Sequence, residues 1–424
     1  MLTAAPRGTK DILPSTIEAW RYVEQTMRTT CALFGYQELR TPIFEHTELF
    51  KRGIGDTTDV VEKEMYTFED RGKRSITLRP ENTASAVRAY VENKLYAEPA
   101  PTKLFYIGPM FRYDRPQAGR MRQFHQFGVE ALGAKEALID AEIIMLAVQV
   151  LKTLGLQDLR LLINSVGCPQ CRPAHREQLQ AFFKPKLDQL CPDCQSRFER
   201  NPLRILDCKN EQCRTLAQGA PQLAACLCED CKAHFNTLQT LLTAAGVKFT
   251  LDHNLVRGLD YYTKTAFEIQ YAPLGAQSAV CGGGRYDGLV GEVGGPATPG
   301  IGFAMGMERV LLALEKQNLL PVMTPSIDVF LVAPAAAQLP LAFKTALELR
   351  AVGLSTEIDF MGRSMNPQMK QANRLQAKQV LIFGEDEVMR GTVVLRNMQS
   401  SEQSEIKIEE IKSILTKTEV LKND

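Results

Sequence analysis

Residues 111–130 read FRYDRPQAGRMRQFHQFGVE. Upstream, KLFYIGPMFRYD (103–114) has the aromatic and β-branched content of a strand, and RQFHQFGVEALG (122–133) reads as its partner. The loop between them carries Arg112, Arg115, Arg120 and Arg122. Guanidinium groups fork onto phosphate or carboxylate and stay charged at any relevant pH. Four crowded together repel one another unless an anion shares them. From this loop alone, a solvated charged hairpin is an equal alternative.

Working outward, MYTFED (65–70) and RSITLRP (74–80) add short β-like runs, interrupted only by a helical stretch over 82–93. This pattern predicts an antiparallel sheet and not repeated βαβ units. Before it, a helix is expected from Ser15 to Phe34, with Ser15 as cap and Glu18 completing a capping box. YQELRTPIF (36–44) reads as a strand with Pro42 inside it, hence at an edge or bulge. A long helix over about 136–154 leads to the strand LRLLIN (159–164), and strands return in VKFTLDHN, AFEIQY and SAVCGGGRYDGL. After LLPVMTPS (319–326) strand and helix alternate, as in a separate α/β domain of ordinary size.

Composition is that of a globular protein: 424 residues, 45% hydrophobic, 23% charged, net charge +1. That length implies two or three domains. The charge excludes a globally basic nucleic-acid binder but not local basic surfaces. No apolar run reaches the ~20 residues of a membrane span, and MLTAAPRGTK does not read as a secretory signal. The expectation is a cytoplasmic protein without membrane attachment, and nine of its eleven cysteines lie between 168 and 231.

Further blocks carry chemistry. LVRGLDYYTK sets Arg257 near Tyr261 and Tyr262, and three glycines precede Arg285 and Tyr286 in VCGGGRYDGL. Such glycines let a backbone approach a ligand, or bend a sheet. The block is neither a P-loop nor a dinucleotide fingerprint. FAMGMERV puts Glu308 and Arg309 at a helix start, and LRPENTASAVRAY puts Glu81 and Thr83 at a strand end. The Glu81 carboxylate could accept from a substrate ammonium or cap the next helix, and capping is locally the stronger reading.

Together these blocks resemble the three signature motifs of class II aminoacyl-tRNA synthetases. PRGTKDILP, GIGDTTDVVEKEMYTFED, TLRPENTA, the 106–130 block, LVRGLDYYT and CGGGRYDGLV are similar, in order, to the histidyl-tRNA synthetase family across almost the whole chain. The resemblance implies an α+β fold: a class II antiparallel sheet flanked by helices, a mostly helical insertion, and a C-terminal α/β anticodon-binding domain. The implied division is 1–167 and 247–318 for the catalytic domain, 168–246 for the insertion, 319–326 for the linker and 327–424 for the last domain. The implied activity is ATP-dependent formation of histidyl-adenylate and transfer to histidine tRNA, with Mg2+ on the phosphates and a homodimer built through the Pro42 strand.

By the same resemblance Arg112, Arg257 and Arg309 are the catalytic cations at the phosphates, with Arg112 also contacting the histidine carboxylate and Arg257 counted among the histidine-binding residues. Glu81, Thr83 and Gln126 hold the α-amino group. Glu130 and Tyr262 address the imidazole, and Tyr261 and Tyr286 complete the pocket. Arg115 and Gln117 meet the tRNA acceptor end. TLRPENTA carries Asn82 where glycine is common in the family.

In the insertion, Cys168-x-x-Cys171, Cys191-x-x-Cys194, Cys208, Cys213 and Cys226-x-Cys228-x-x-Cys231 have zinc-ligand spacing. Reduced thiols in a small helical module fit equally well. The rival for the whole chain is a synthetase-like regulatory subunit of ATP phosphoribosyltransferase. Such relatives usually lack the anticodon domain.

Overall fold

Strands Thr102–Phe111 and Gln123–Leu132 pair antiparallel in unbroken register, from Thr102 opposite Leu132 to Phe111 opposite Gln123. They lie within an eight-stranded sheet in the order 37–38, 102–111, 123–132, 300–306, 279–285, 263–271, 159–165, 250–251. The inner six strands are antiparallel; the two edge strands run parallel to their neighbours. The computed structural model describes residues 3–55, 58, 60–208, 210–256, 258–321 and 326–420.

One face of the sheet packs under the helices Ile17–Leu33, Ala137–Thr153 and Met307–Lys316. Phe127, Val129, Phe303 and Met305 meet Met27, Ile143, Ile144 and Val310 there, all buried. Each such side chain is worth about 1.5–3 kcal/mol relative to exposure. The glycine-rich face opposite is left for the site.

The first helix differs in detail from its expected form. It spans Ile17–Leu33, and no side chain caps it. Thr16 holds the cap position instead of Ser15, its hydroxyl donating to the Leu13 carbonyl at 3.1 Å. Glu18 pairs with Arg21 instead of closing a capping box.

YQELRTPIF is also two strands and not one. Gln37–Glu38 edges the large sheet, whereas Phe44–His46 joins a separate three-stranded sheet with Ser75–Leu78 and Tyr66–Glu69. Pro42 lies in the break, where no ladder donor is needed. The 65–133 stretch therefore contributes to two sheets. Strand 75–78 is paired along both edges by 44–46 and 66–69, so it has no side left for strand 102–111. Arg79 joins the sheets by accepting from the Phe111 N–H at 2.9 Å.

After strand Leu159–Ser165 the chain leaves the sheet through helices Arg172–Phe183, Pro192–Arg200, Glu211–Leu216 and Glu229–Ala244. It returns at Thr250–Leu251 and Thr263–Tyr271. Only Thr250–Leu251 of VKFTLDHN is extended in the sheet.

The chain divides into two units, Met1–Pro321 and Val322–Asp424. The second has a mixed five-stranded sheet in the order 356–358, 329–332, 379–382, 392–397, 403–407, with helices Leu339–Arg350, Met365–Arg374 and Ile411–Val420. Among the described residues no helix is long and apolar enough to cross a membrane.

Candidate active site

A cavity of about 370 Å³ opens on the sheet's glycine-rich face. Glu81, Thr83, Arg112, Gln126, Tyr261, Tyr262, Tyr286 and Arg309 line it, although they are scattered over more than half of the sequence. Missing side chains make room for the residues packed around and behind it. A methyl group at Gly302 would collide with the Glu130 carboxylate, one at Gly300 with the Tyr286 ring, and one at Gly128 with the Tyr106 ring.

The cationic end is built from main-chain acceptors. Arg112 follows strand Thr102–Phe111, and its Nε donates to the Pro80 carbonyl at 2.7 Å. Arg309 starts the helix Met307–Lys316; its Nε donates to the Gly119 carbonyl at 3.0 Å and its Nη1 to the Ala279 carbonyl at 2.8 Å. Burial lowers the Arg309 pKa, and the charges of Arg120 and Arg112 lower it further, against weaker support from Glu268 and Asp114. Three guanidiniums thus share one region of low dielectric, where an anionic ligand relieves their repulsion. Arg120 also pairs with Asp114.

The other end is phenolic and acidic. Glu81 accepts from the N–H groups of Thr83 and Ala84 at 2.6 and 2.9 Å, so it caps the helix Thr83–Glu92 while lining the cavity. Gln126 is buried, and its amide oxygen has no hydrogen-bond partner among the described residues. The rings of Tyr261 and Tyr262 lie 4.7 Å apart and those of Tyr261 and Tyr286 5.7 Å apart.

Glu130 stands behind this wall, fully buried. The Tyr106 hydroxyl donates to it at 3.0 Å and the Tyr286 hydroxyl donates to its other oxygen. Burial pushes its pKa up to about 8, against the opposing hydrogen bonds from Tyr286, Thr83 and Tyr106.

Arg115 and Gln117 are exposed in the loop outside the cavity lining. Arg257 lies outside the described residues. Asn82, the departure from the usual glycine, is fully buried. Its Oδ1 accepts from Thr41 at 2.7 Å and from Arg79 at 3.1 Å, so it braces the strand end beneath Glu81.

Sequence reasoning did not single out Tyr106. The signal is its register opposite Gly128, whose absent side chain leaves room for the ring. Glu308 was noted without a role. It fixes His125, accepting from its main-chain N–H at 2.9 Å and meeting Nδ1 at 3.0 Å.

Comparison with known proteins bears on this arrangement. Residues 8–310 match the histidyl-tRNA synthetase family. The chain belongs to that family. Residues 328–418 match an anticodon-binding domain. Among histidyl-tRNA synthetase relatives, the histidine–tRNA ligase of Desulforamulus reducens is 57% identical over 411 residues, covering 97% of this chain and 98% of that one. That of Moorella thermoacetica is 56% identical over 406 residues, 96% of each. The apo histidyl-tRNA synthetase of S. aureus superposes with a TM-score of 0.83 at 40% identity, covering 97% of this chain and 99% of that structure. The regulatory-subunit alternative is not favoured, because these likenesses run through the anticodon-binding domain.

Proposed function

We infer that this chain activates L-histidine with ATP and transfers it to the 3′ end of histidine tRNA. The family assignment supports the activity, and one structural observation carries the site: Arg112, Arg120 and Arg309 crowd the same cavity as the tyrosines and Gln126.

The histidine carboxylate attacks the α-phosphorus of ATP, and the bond from that phosphorus to the α,β-bridging oxygen breaks to expel pyrophosphate. Two anions must approach, and charge builds on the phosphoryl oxygens. Fixed guanidiniums answer both needs without reorganising. In this reading Arg112 bridges the α-phosphate and the amino-acid carboxylate, and Arg309 takes the far end of the triphosphate. Arg257 flanks the α-phosphate opposite Arg112. A ribose hydroxyl of the tRNA then attacks the mixed anhydride and AMP leaves.

The α-ammonium group meets Glu81, Thr83 and Gln126. The unpartnered Gln126 oxygen is a ready acceptor for it. Tyr262 and Glu130 read the imidazole. Glu130 does so through its hydrogen-bonded pair with Tyr286, because it does not line the cavity. Such a pocket rejects isosteres that leave its polar atoms unpaired. Arg115 and Gln117 belong to the tRNA acceptor contact.

Magnesium would neutralise the β- and γ-phosphates, with the triphosphate oxygens supplying its ligands. Structural zinc belongs to the cysteine-rich insertion and takes no part in the reaction. The divisions 1–167, 168–246, 247–318, 319–326 and 327–424 go with this assignment. So do a cytoplasmic setting and a homodimer, for which the exposed Leu33, Ile43 and Phe44 are suitable contacts.

ATP–pyrophosphate exchange measured with each amino acid separately tests the activity. Exchange with histidine alone is expected; exchange with another amino acid, or with none, overturns the assignment.

A further inference from the structure

The nine cysteines of the insertion sort into two groups of four and one remainder. The Sγ atoms of Cys168, Cys171, Cys228 and Cys231 all lie within 4.8 Å of one another, and so do those of Cys191, Cys194, Cys208 and Cys213. Cys168 is 3.6 Å from Cys171 and 3.8 Å from Cys228, and Cys191 is 3.8 Å from Cys208. All are thiols, far beyond the ~2.05 Å of a disulfide. Four thiolates about 2.3 Å from a single ion place their sulfurs roughly 3.8 Å apart along the edges of a tetrahedron. An iron–sulfur cluster would hold its thiolates further apart, around its own core.

Main-chain donors reach several of these sulfurs. The Cys228 N–H donates to Cys171 Sγ at 3.2 Å, the Cys191 N–H to Cys213 Sγ at 3.2 Å, and the Asn210 N–H to Cys208 Sγ at 3.5 Å. The Arg172 guanidinium is placed to offset charge at Cys168 and Cys171. Cys226 behaves differently: its thiol meets Gln178 Oε1 at 3.4 Å and it joins neither group.

We propose that the insertion binds two zinc ions, one held by Cys168, Cys171, Cys228 and Cys231 at its base and one by Cys191, Cys194, Cys208 and Cys213 in its outer lobe. This rests on the reading of the insertion as a zinc-bearing module of a synthetase, and adds the number of ions and the division of ligands. Each ion replaces the protons of four thiols, which pass to solvent, and leaves no open coordination position. Four soft sulfur ligands in a tetrahedron select zinc among the common metals, with iron as the competitor.

The two ions do different structural work. The base ion ties the exit of strand Leu159–Ser165 to the first turn of helix Glu229–Ala244, the two ends of the insertion. That helix is then anchored where His234 meets the buried Asp140 at 2.8 Å. The outer ion sits in a core of seven buried residues, Leu179, Phe183, Leu190, Cys194, Ile205, Cys208 and Cys213, three of which are its own ligands. A core that small needs a staple.

The test is metal analysis of the full-length protein purified without chelator, beside the histidine exchange assay. Two equivalents of zinc are expected per chain. Cys171→Ser with Cys228→Ser should leave one, Cys194→Ser with Cys213→Ser should leave one, and Cys226→Ser should keep two. Thiol titration of the wild-type chain before and after chelation covers the case in which a variant fails to fold. Removing the metal should expose eight additional reactive thiols. Fewer than two equivalents, iron in place of zinc, or both ions retained after either double substitution overturns the proposal. Missing metal with intact histidine exchange sinks this inference alone; two zinc equivalents without histidine exchange sinks only the assigned activity.

Discussion

Arg285, at the end of strand Ala279–Arg285, and Arg309, in the helix that follows strand Gly300–Gly306, have opposite surroundings. Arg285 is fully buried, and burial works against its charge, but Asp140 and Asp287 more than compensate and raise its pKa. Asp140 in turn holds His234 and the Thr265 hydroxyl, the latter at 2.6 Å. Burial also opposes the charge of Arg309, yet its next neighbours in effect are two further arginines, and its pKa falls. One arginine is satisfied within the fold. The other stands where positive charge accumulates beside a cavity. Charge that the fold balances with its own carboxylates serves stability; several cations gathered at a cavity suit an anionic ligand.

The largest expected effect lies at the balanced end. Asp140→Ala leaves Arg285 buried without its principal partner, which costs about 3–5 kcal/mol. Thermal unfolding should drop accordingly; an unchanged midpoint would erase the contrast. At the cationic end Arg112→Ala should do the reverse, sparing the unfolding midpoint while lowering histidine-dependent exchange by roughly 10²-fold or more, the usual cost of losing a charge-stabilising donor. Loss of stability with normal exchange would place Arg112 with Arg285.

Glu130 sharpens the comparison from the acidic side. Its folded pKa of about 8 lies above the ordinary 4.5, so the folded chain holds a proton that the unfolded chain has lost between those values. Its contribution to stability is therefore full at low pH, shrinks as pH rises across that window by at most about 1.4 kcal/mol per unit, and levels off above it. Glu130→Gln should flatten that part of the stability profile; an unaltered slope would deny the shift. The smallest effect is expected outside the cavity. Arg115→Ala removes an exposed cation worth about 1 kcal/mol, so tRNA charging should fall roughly fivefold while exchange with histidine stays constant. Equal loss in both assays would move Arg115 into the adenylation site.

Much of this was legible in the sequence because the blocks near the chemistry have unusual composition. The arginine-rich loop after Phe111, the triple glycine before Arg285 and the paired tyrosines at 261 and 262 each announce a close approach to something. The antiparallel strands over 102–111 and 123–132 and the helix over 137–153 follow from local composition and hydrophobic period. What stayed hidden depends on distant pairing. Pro42 signalled an edge, but only the register of Phe44 opposite Leu78 shows that a second sheet begins there. Glu130 reads as a pocket residue, yet its protected position behind Tyr106 and Tyr286 comes from glycines at 128 and 302 on neighbouring strands. Likewise CxxC spacing names the thiols of the insertion, but which pair meets which is fixed by helix packing across some sixty residues of chain.

The most direct measurement is a crystal structure of this protein with a non-hydrolysable histidyl-adenylate analogue. The phosphate should lie between Arg112 and Arg309, with the imidazole against Tyr262 and the Tyr286–Glu130 pair. An analogue bound elsewhere, or turned so that its phosphate avoids the arginines, would contradict the account.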